Sequence, residues 1–465
     1  VHPLNDWVTM KGETVRVNSG LRACALGGVL LVATGSPAAW GQANPSVLTL
    51  ERATTMASEN SRLVQIAALD VEKADSELAA LKTRRRPVFD VRMLSGSLVA
   101  PMNLTFKTGS FGVFPATGPI PFADTSIPTN PGLTGTLVAS VAQPLTQLKT
   151  IGLGERALEI GTDIAREQLR ARRQSVSNNV TRLYYGLVQA QAGLDANAQA
   201  LALYRELERL LNDYVERQVA LPGELLTVRT ALARQEHTDI VLRNTIATLK
   251  EQMNLVIGRE IGADFTIEPV PTTTVFDVDV AAAETRALDA RPEVREARLK
   301  ARQADFDLQR KRSESIPEIS VSFNYLGLYN FEVLPRNTAV FGVMGTWEPW
   351  DWGRRRDEAA SRSRTLDQAK LAVREAEDSV KVDVRTQFRK VQEARAMLRV
   401  AELAQQTARE KLRVALEQFK EQATIQRQVL EAQAAAAESD QQYQQALANF
   451  WTARADFDRA IGGNE

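Results

Sequence analysis

The sequence predicts a mixed fold, in which long helices are interrupted by two hairpins of membrane-crossing strand length. Three observations carry that expectation. From Pro317 the chain reads Glu-Ile-Ser-Val-Ser-Phe-Asn-Tyr-Leu-Gly-Leu-Tyr, with Ile319, Val321, Phe323, Tyr325 and Tyr329 on one side and Ser320, Ser322 and Asn324 on the other. Such alternation marks a strand with one apolar and one polar face. After Pro335-Arg336-Asn337, a second run from Thr338 to Trp347 puts Phe341, Val343 and Trp347 on the apolar side. Each run has about ten residues, enough for a tilted strand to cross a bilayer. The second observation is that Ala, Leu, Glu, Gln and Arg dominate after residue 150, as expected of long helices. The third is duplication. Pro87-Val-Phe-Asp-Val answers Pro317-Glu-Ile-Ser-Val at an offset of 230, and Ala67, Leu69, Asp75 and Leu78 keep that register with Ala297, Leu299, Asp305 and Leu308. Later Pro144 answers Pro349 at 205, Tyr185 answers Phe388 at 203, and Ile257-Gly258 answers Ile461-Gly462 at 204. A repeated plan sets the architecture before any motif is weighed.

Residues 1–43 read as a cleaved signal peptide. Lys11, Arg16 and Arg22 precede an apolar run from Ala23 to Thr34, then Gly41-Gln42-Ala43, and Met10 reads as a better start than Val1. The run is too short to span a membrane. Cys24 lies ahead of the cleavage site, so cleavage after Ala43 leaves no thiol for a disulfide or metal.

Repeat one, residues 44–258, opens with a helix over 46–86 ended by Pro87. A hairpin over 88–141 follows, with a Pro-, Gly- and Thr-rich loop over 100–133. A long helix from about Gly154 to Arg217 would measure about 95 Å. The tip turn at 218–224 contains Leu221-Pro222-Gly223-Glu224, and a return helix reaches Gly258. Residues 259–283, with Pro269 and Pro271, read as a linker. Repeat two, residues 284–465, repeats the plan: a helix to Glu314, the hairpin 318–348, a helix from about Arg354 to Phe419, a tip at 421–425 and a return helix to Ile461. The shorter helices placed end to end match the long ones, as in a four-helix wall.

Catalysis has little to work with. His237 is the one histidine after cleavage and lies on a polar helix, so a solvated surface residue is expected. Helical charge pairs explain the carboxylates, and no phosphate loop, nucleophile elbow or dinucleotide fingerprint appears. No enzyme, metal or other cofactor is expected. The 57 basic and 57 acidic residues cancel, which leaves no nucleic-acid footprint.

The signal segment, the duplicated helix–hairpin–helix–turn–helix plan, and the strand-closing Gln143-Pro144-Leu145 and Glu348-Pro349-Trp350 together resemble the TolC-like outer membrane efflux proteins over residues 47–462. The resemblance implies a homotrimer in the outer membrane. Each chain would give four strands to a shared twelve-stranded transmembrane β-barrel above an α-helical coiled-coil periplasmic tunnel. It implies a passive exit duct of an efflux or type I secretion system, with a periplasmic adaptor and an inner membrane pump as partners.

In that family the periplasmic tips carry the gate. The matching positions are Phe419, Gln422, Gln428 and Glu431 in the second tip and Glu224 in the first, with Gln218 replacing a glycine, so a thinner acidic ring is expected. Read from the residues alone, Glu224 and Glu431 are first of all ordinary helix N-terminal carboxylates. The exposed turns Leu221, Pro222, Gly223 and Gln422, Ala423, Thr424 are expected to dock the adaptor. Basic triplets stand at three helix–strand junctions: 84–86, 310–312, and Arg354, Arg355 and Arg356. They read either as solvated helix ends or as a collar at the headgroups of the outer membrane lipid. Trp347, Trp350 and Trp352 would form an aromatic girdle beside such a collar. The alternative to a duct is a secreted or periplasmic structural coiled coil without a pore.

Overall fold

The computed structural model describes residues 46–97, 103–128, 132–268, 278–330, 335–421 and 426–463. The expected signal segment lies outside the described residues. In chain order the elements are β1 (Ser46–Leu48), α1 (Leu50–Asn60), α2 (Arg62–Thr83), β2 (Val88–Ser97), β3 (Asn103–Phe106), β4 (Val113–Phe114), β5 (Gly118–Pro119), β6 (Thr125–Pro128), β7 (Leu133–Pro144), α3 (Gln147–Glu216), α4 (Pro222–Ile257), β8 (Phe265–Ile267), α5 (Val280–Ala290), α6 (Pro292–Ser313), β9 (Glu318–Tyr329), β10 (Asn337–Thr346), α7 (Arg354–Lys420) and α8 (Gln426–Ala460). α3 has 70 residues, which at 1.5 Å each is about 105 Å.

The helix read as continuous over 46–86 is in fact broken at Ser61, and the one read to Glu314 is broken at Arg291. Both residues are extended, with ψ near 130°. At the second break the cause is local, because Pro292 forces the residue before it out of the helical region. The loop read over 100–133 contains two small antiparallel pairs, β3 with β6 and β4 with β5. β1 pairs in parallel with β8, within the stretch read as a linker.

α3 is the central helix. α2 and then α4 line one flank, α6 and then α8 the other, and α7 packs outside α6 and α8. The two cores repeat each other. Ala53, Ala57, Val64, Val176, Val180, Tyr184, Leu187 and Met253 build the first; Ala283, Ala287, Val294, Val380, Val384, Phe388, Val391 and Phe457 build the second. The counterpart of Phe388 is therefore Tyr184, not Tyr185, which turns instead to stack on Trp451. Polar fasteners cross the seams. Arg182 binds both oxygens of Asp456 at 2.8 Å, and Asn178 donates to the same carboxylate. Arg291 joins Glu293 to Asp383.

Each core is closed by a left-handed glycine. Gly258 has φ +73° and Gly462 φ +77°. A Cβ at Gly258 would stand 2.7 Å from the Asn60 carbonyl oxygen, and one at Gly462 would stand 2.6 Å from Ala290 Cβ. No other residue fits both the backbone and the space. Gly258→Ala and Gly462→Ala are each expected to cost about 1–3 kcal/mol, read as a lower unfolding midpoint by circular dichroism. Gly223→Ala, with nothing within 4 Å, should leave the midpoint in place.

Candidate functional site

The two hairpins join into one sheet of order β10-β9-β7-β2, antiparallel at every pairing. Its register carries the alternation across chain segments. Phe89, Val141, Phe323 and Phe341 form one row over all four strands, and Val91, Ala139, Tyr325 and Ala339 form the next. Strand pleating puts both rows on one face. The opposite face carries the row Asp90, Ser140, Asn324 and Val340, with Ala142, Ser322 and Gly342 in the next. The apolar rows are largely uncovered: Phe89, Val91, Met93, Phe341 and Val343 are each at least 70% exposed. Ser322, by contrast, is 7% exposed, held between small neighbours and accepting a hydrogen bond from Asn324. The outer strands β2 and β10 each leave one edge unpaired within the chain.

Where strands meet helices, the basic triplets fall into two groups. Arg354 and Arg355 both bind Glu348, at 2.6 and 3.2 Å, and Arg355 also reaches Asp351. They lock the end of the sheet to α7 rather than standing free. Asp351 accepts hydrogen bonds from the Arg355 and Gly353 N–H groups, which hold its carboxyl below its ordinary pKa. Lys311 bridges Glu314 and Glu358 at 2.6 Å each, and its ammonium pKa rises accordingly. Arg356 lies against its neighbour Asp357. Arg84, Arg86 and Arg312 are exposed and make no ion pair among the described residues. Trp347 and Trp350 are exposed, and Trp352 is 91% exposed. Trp350 and Trp352 meet edge to face at 5.9 Å, and Trp352 takes φ +56°, a strained conformation for a bulky residue. Sequence reading found the tryptophans but not the strain or the pairing of the arginines.

At the other end, Leu221 caps α4 and Pro222 begins it, using the one position where a missing N–H costs nothing. Gln218 has φ +58°, a conformation that suits glycine better. Glu224 is exposed in the first turn of α4. Glu431 pairs with Arg427 at 3.5 Å, so its charge is partly offset. Leu430 packs on the cluster that contains Leu225, which brings the starts of α4 and α8 to one region. Phe419 is half-buried, and Gln428 is exposed but engaged. Gln422, Ala423 and Thr424 lie outside the described residues. His237 is exposed on α4. No cluster of three or more potential metal ligands occurs among the described residues, and no described helix is long and apolar enough to cross a membrane.

Residues 285–463 match the family model described as outer membrane efflux protein. Among curated proteins none matches. The Campylobacter jejuni CmeC outer membrane channel is similar in structure, at TM-score 0.73 and 15% identity, over 89% of this chain and 85% of that one. So is the Vibrio cholerae outer membrane protein VceC, at 0.69 and 16%, over 89% and 96%. The open state of the Neisseria gonorrhoeae MtrE outer membrane channel matches at 0.68 and 13%, over 89% of each chain. Residues 285–463 thus match the outer membrane efflux protein family, and the described chain shares the fold of these outer membrane channels.

Proposed function

We propose that this protein is an outer membrane exit duct. It would pass substrates delivered by an inner membrane pump through a periplasmic adaptor, without chemistry of its own. The observation that carries this reading is the apolar face running unbroken across four antiparallel strands. In water such a face is a liability; in lipid it is the outer wall of a barrel. A pore-free structural coiled coil gives those rows nothing to cover them.

The same sheet supports closure by further copies. Its strands alternate in direction, so β10 of one chain beside β2 of the next extends the antiparallel pattern. Three chains would make the twelve-stranded barrel that the family resemblance implies. The helices support it too. Ile66, Leu69 and Ile240 lie uncovered on the α2 and α4 margin, and Leu371, Val382, Met397, Val400 and Leu403 lie uncovered on α7. Two apolar margins at opposite sides of one wall suit a head-to-tail interface that closes into a ring. Arg84, Arg86 and Arg312, with the exposed tryptophans, suit the headgroup level. Fractionation to the outer membrane, heat-modifiable trimers on gels and single-channel conductance test the reading together.

Three measurements probe its parts. Phe323→Arg should cost about 2–4 kcal/mol of assembly if that residue faces hydrocarbon near the midplane, whereas Asn324→Arg, on the other face and exposed, should cost far less. Equal yields of assembled trimer would overturn the assignment of faces.

The tips give the second. Gly223→Trp and Ala423→Trp should abolish export while trimers still form, because both turns are taken to dock the adaptor. Normal export from both would remove them from that role.

The third concerns charge at the closed end. Glu224→Gln should lower cation preference more than Glu431→Gln, since Arg427 already offsets Glu431. The preference should be greatest at low salt, where the Debye length is about 30 Å at 0.01 M against about 10 Å at 0.1 M. Reversal potentials across a planar bilayer read it, and an unchanged potential in the double variant would leave both as ordinary helix carboxylates.

A further inference from the structure

A groove away from both strands and tips has no carboxylate in its lining. It has a volume of about 650 Å³ and lies where the middle of α3 meets the start of α2, the end of α4 and the last turn of α8. Four arginines line it: Arg62, Arg172, Arg182 and Arg459. The two from α3 stand ten residues apart, about 80° from one another around the helix, and both border the groove.

The four are not equivalent. Arg182 is neutralised by Asp456, which does not itself line the groove. Arg62 and Arg172 are exposed and make no ion pair among the described residues. The Nε of Arg459 is buried without a hydrogen-bond partner. The acids that sense Arg459, Glu293 and Asp383, are already bound by Arg291. α2, 22 residues long, begins in the same groove, and Ser61 supplies no side-chain cap to its first turn. The positive end of that helix therefore adds to the guanidinium charge.

We propose that this groove binds a small, multiply charged oxyanion, held between Arg62, Arg172 and Arg459. Guanidinium forks match phosphate and carboxylate oxygens in pairs, and a concave protein wall focuses the field of like charges that face it. The volume suits a small molecule and not a chain. Phosphates and polycarboxylates share this chemistry. The inference does not rest on the duct reading, because binding is read on the purified protein.

The experiment is calorimetric titration of the full-length assembled protein in neutral detergent at fixed ionic strength, with inorganic pyrophosphate in one arm and citrate in the other. Saturable binding of either probe, at one site per chain, is the expected result. Arg62→Gln with Arg172→Gln should weaken it at least tenfold. Arg62→Lys with Arg172→Lys, which keeps the charge but loses the fork, should weaken it several-fold. Arg364→Gln, an exposed arginine elsewhere on α7, should change nothing. Neither groove arginine has a partner to lose, so the melting profile of each variant should match the parent. Parent-like binding by the double Gln variant, equal weakening by Arg364→Gln, or no saturable binding of either probe would overturn the proposal. Outer membrane location and conductance would stand in each of those cases.

Discussion

The structure depends on one constraint: a backbone N–H or C=O placed in hydrocarbon has no water to bond. A single chain here offers four strands and leaves one edge of β2 and one edge of β10 without partners. In an aqueous fold such edges would be blunted by charge, proline or a covering segment. These carry instead Phe89, Val91 and Met93 on one margin and Phe341 and Val343 on the other, all exposed. The edges and the apolar face thus make the same demand. Lipid satisfies the face, and only another strand satisfies the edge. The proposed closure by further copies rests on this hydrogen-bond accounting as well as on likeness to other channels.

The helical part answers a different demand, which is to carry a thin wall over a long distance with no deep core. Its solution is to build one core twice. Alanines at 53, 57, 283 and 287 let α1 and α5 approach closely, while valines at 176, 180, 380 and 384 fill the space that remains. The breaks at Ser61 and Arg291 matter because they bring those short helices across the ends of α4 and α8. Gly258 and Gly462 then fit against Asn60 and Ala290 with no room for a side chain. Between the cores, ion pairs such as Arg182–Asp456 fix which helix face meets which. The Arg182 side chain is 52% exposed, and a pair open to water adds little stability, so this contact specifies register more than it stabilises.

Much of this was legible in the sequence because it is periodic. The alternation from Ile319 to Tyr325 needs only the two-residue period of a strand, and the offset of 230 needs only counting. What could not be read depends on meetings between distant segments. Nothing local says that Glu348 collects both Arg354 and Arg355, so the triplet looked like three free cations. Nothing local says that Ser322 sits under its neighbours. The match of Tyr185 to Phe388 was off by one because two adjacent tyrosines offer the same letter and both are buried; only the packing positions shared by the two cores pair Tyr184 with Phe388. Pro292 was the missed local signal, since the residue before a proline is steered out of the helix.

The two tip-ward hairpins also differ in what holds them. Between α3 and α4 the contact is made by Tyr204, Leu207, Leu211, Leu225 and Val228, large side chains whose burial is worth about 1.5–3 kcal/mol each when complete. Between α7 and α8 the buried positions toward the tip, among the described residues, are Ala401, Ala415 and Ala436, with Val429 the one large apolar group and Gln405, Gln433 and Ser439 among them. An alanine methyl gives only a fraction of what a leucine gives, and a glutamine parted from its partner can bond water instead. Gln405 and Arg409 both bind Asp440 there, a contact that water can replace. Separating α7 from α8 near the tip therefore exposes less apolar area and strands fewer groups than separating α3 from α4. The asymmetry arises although the two hairpins descend from one repeated plan. The small and amide side chains between α7 and α8 make that hairpin the seam that parts at lower cost.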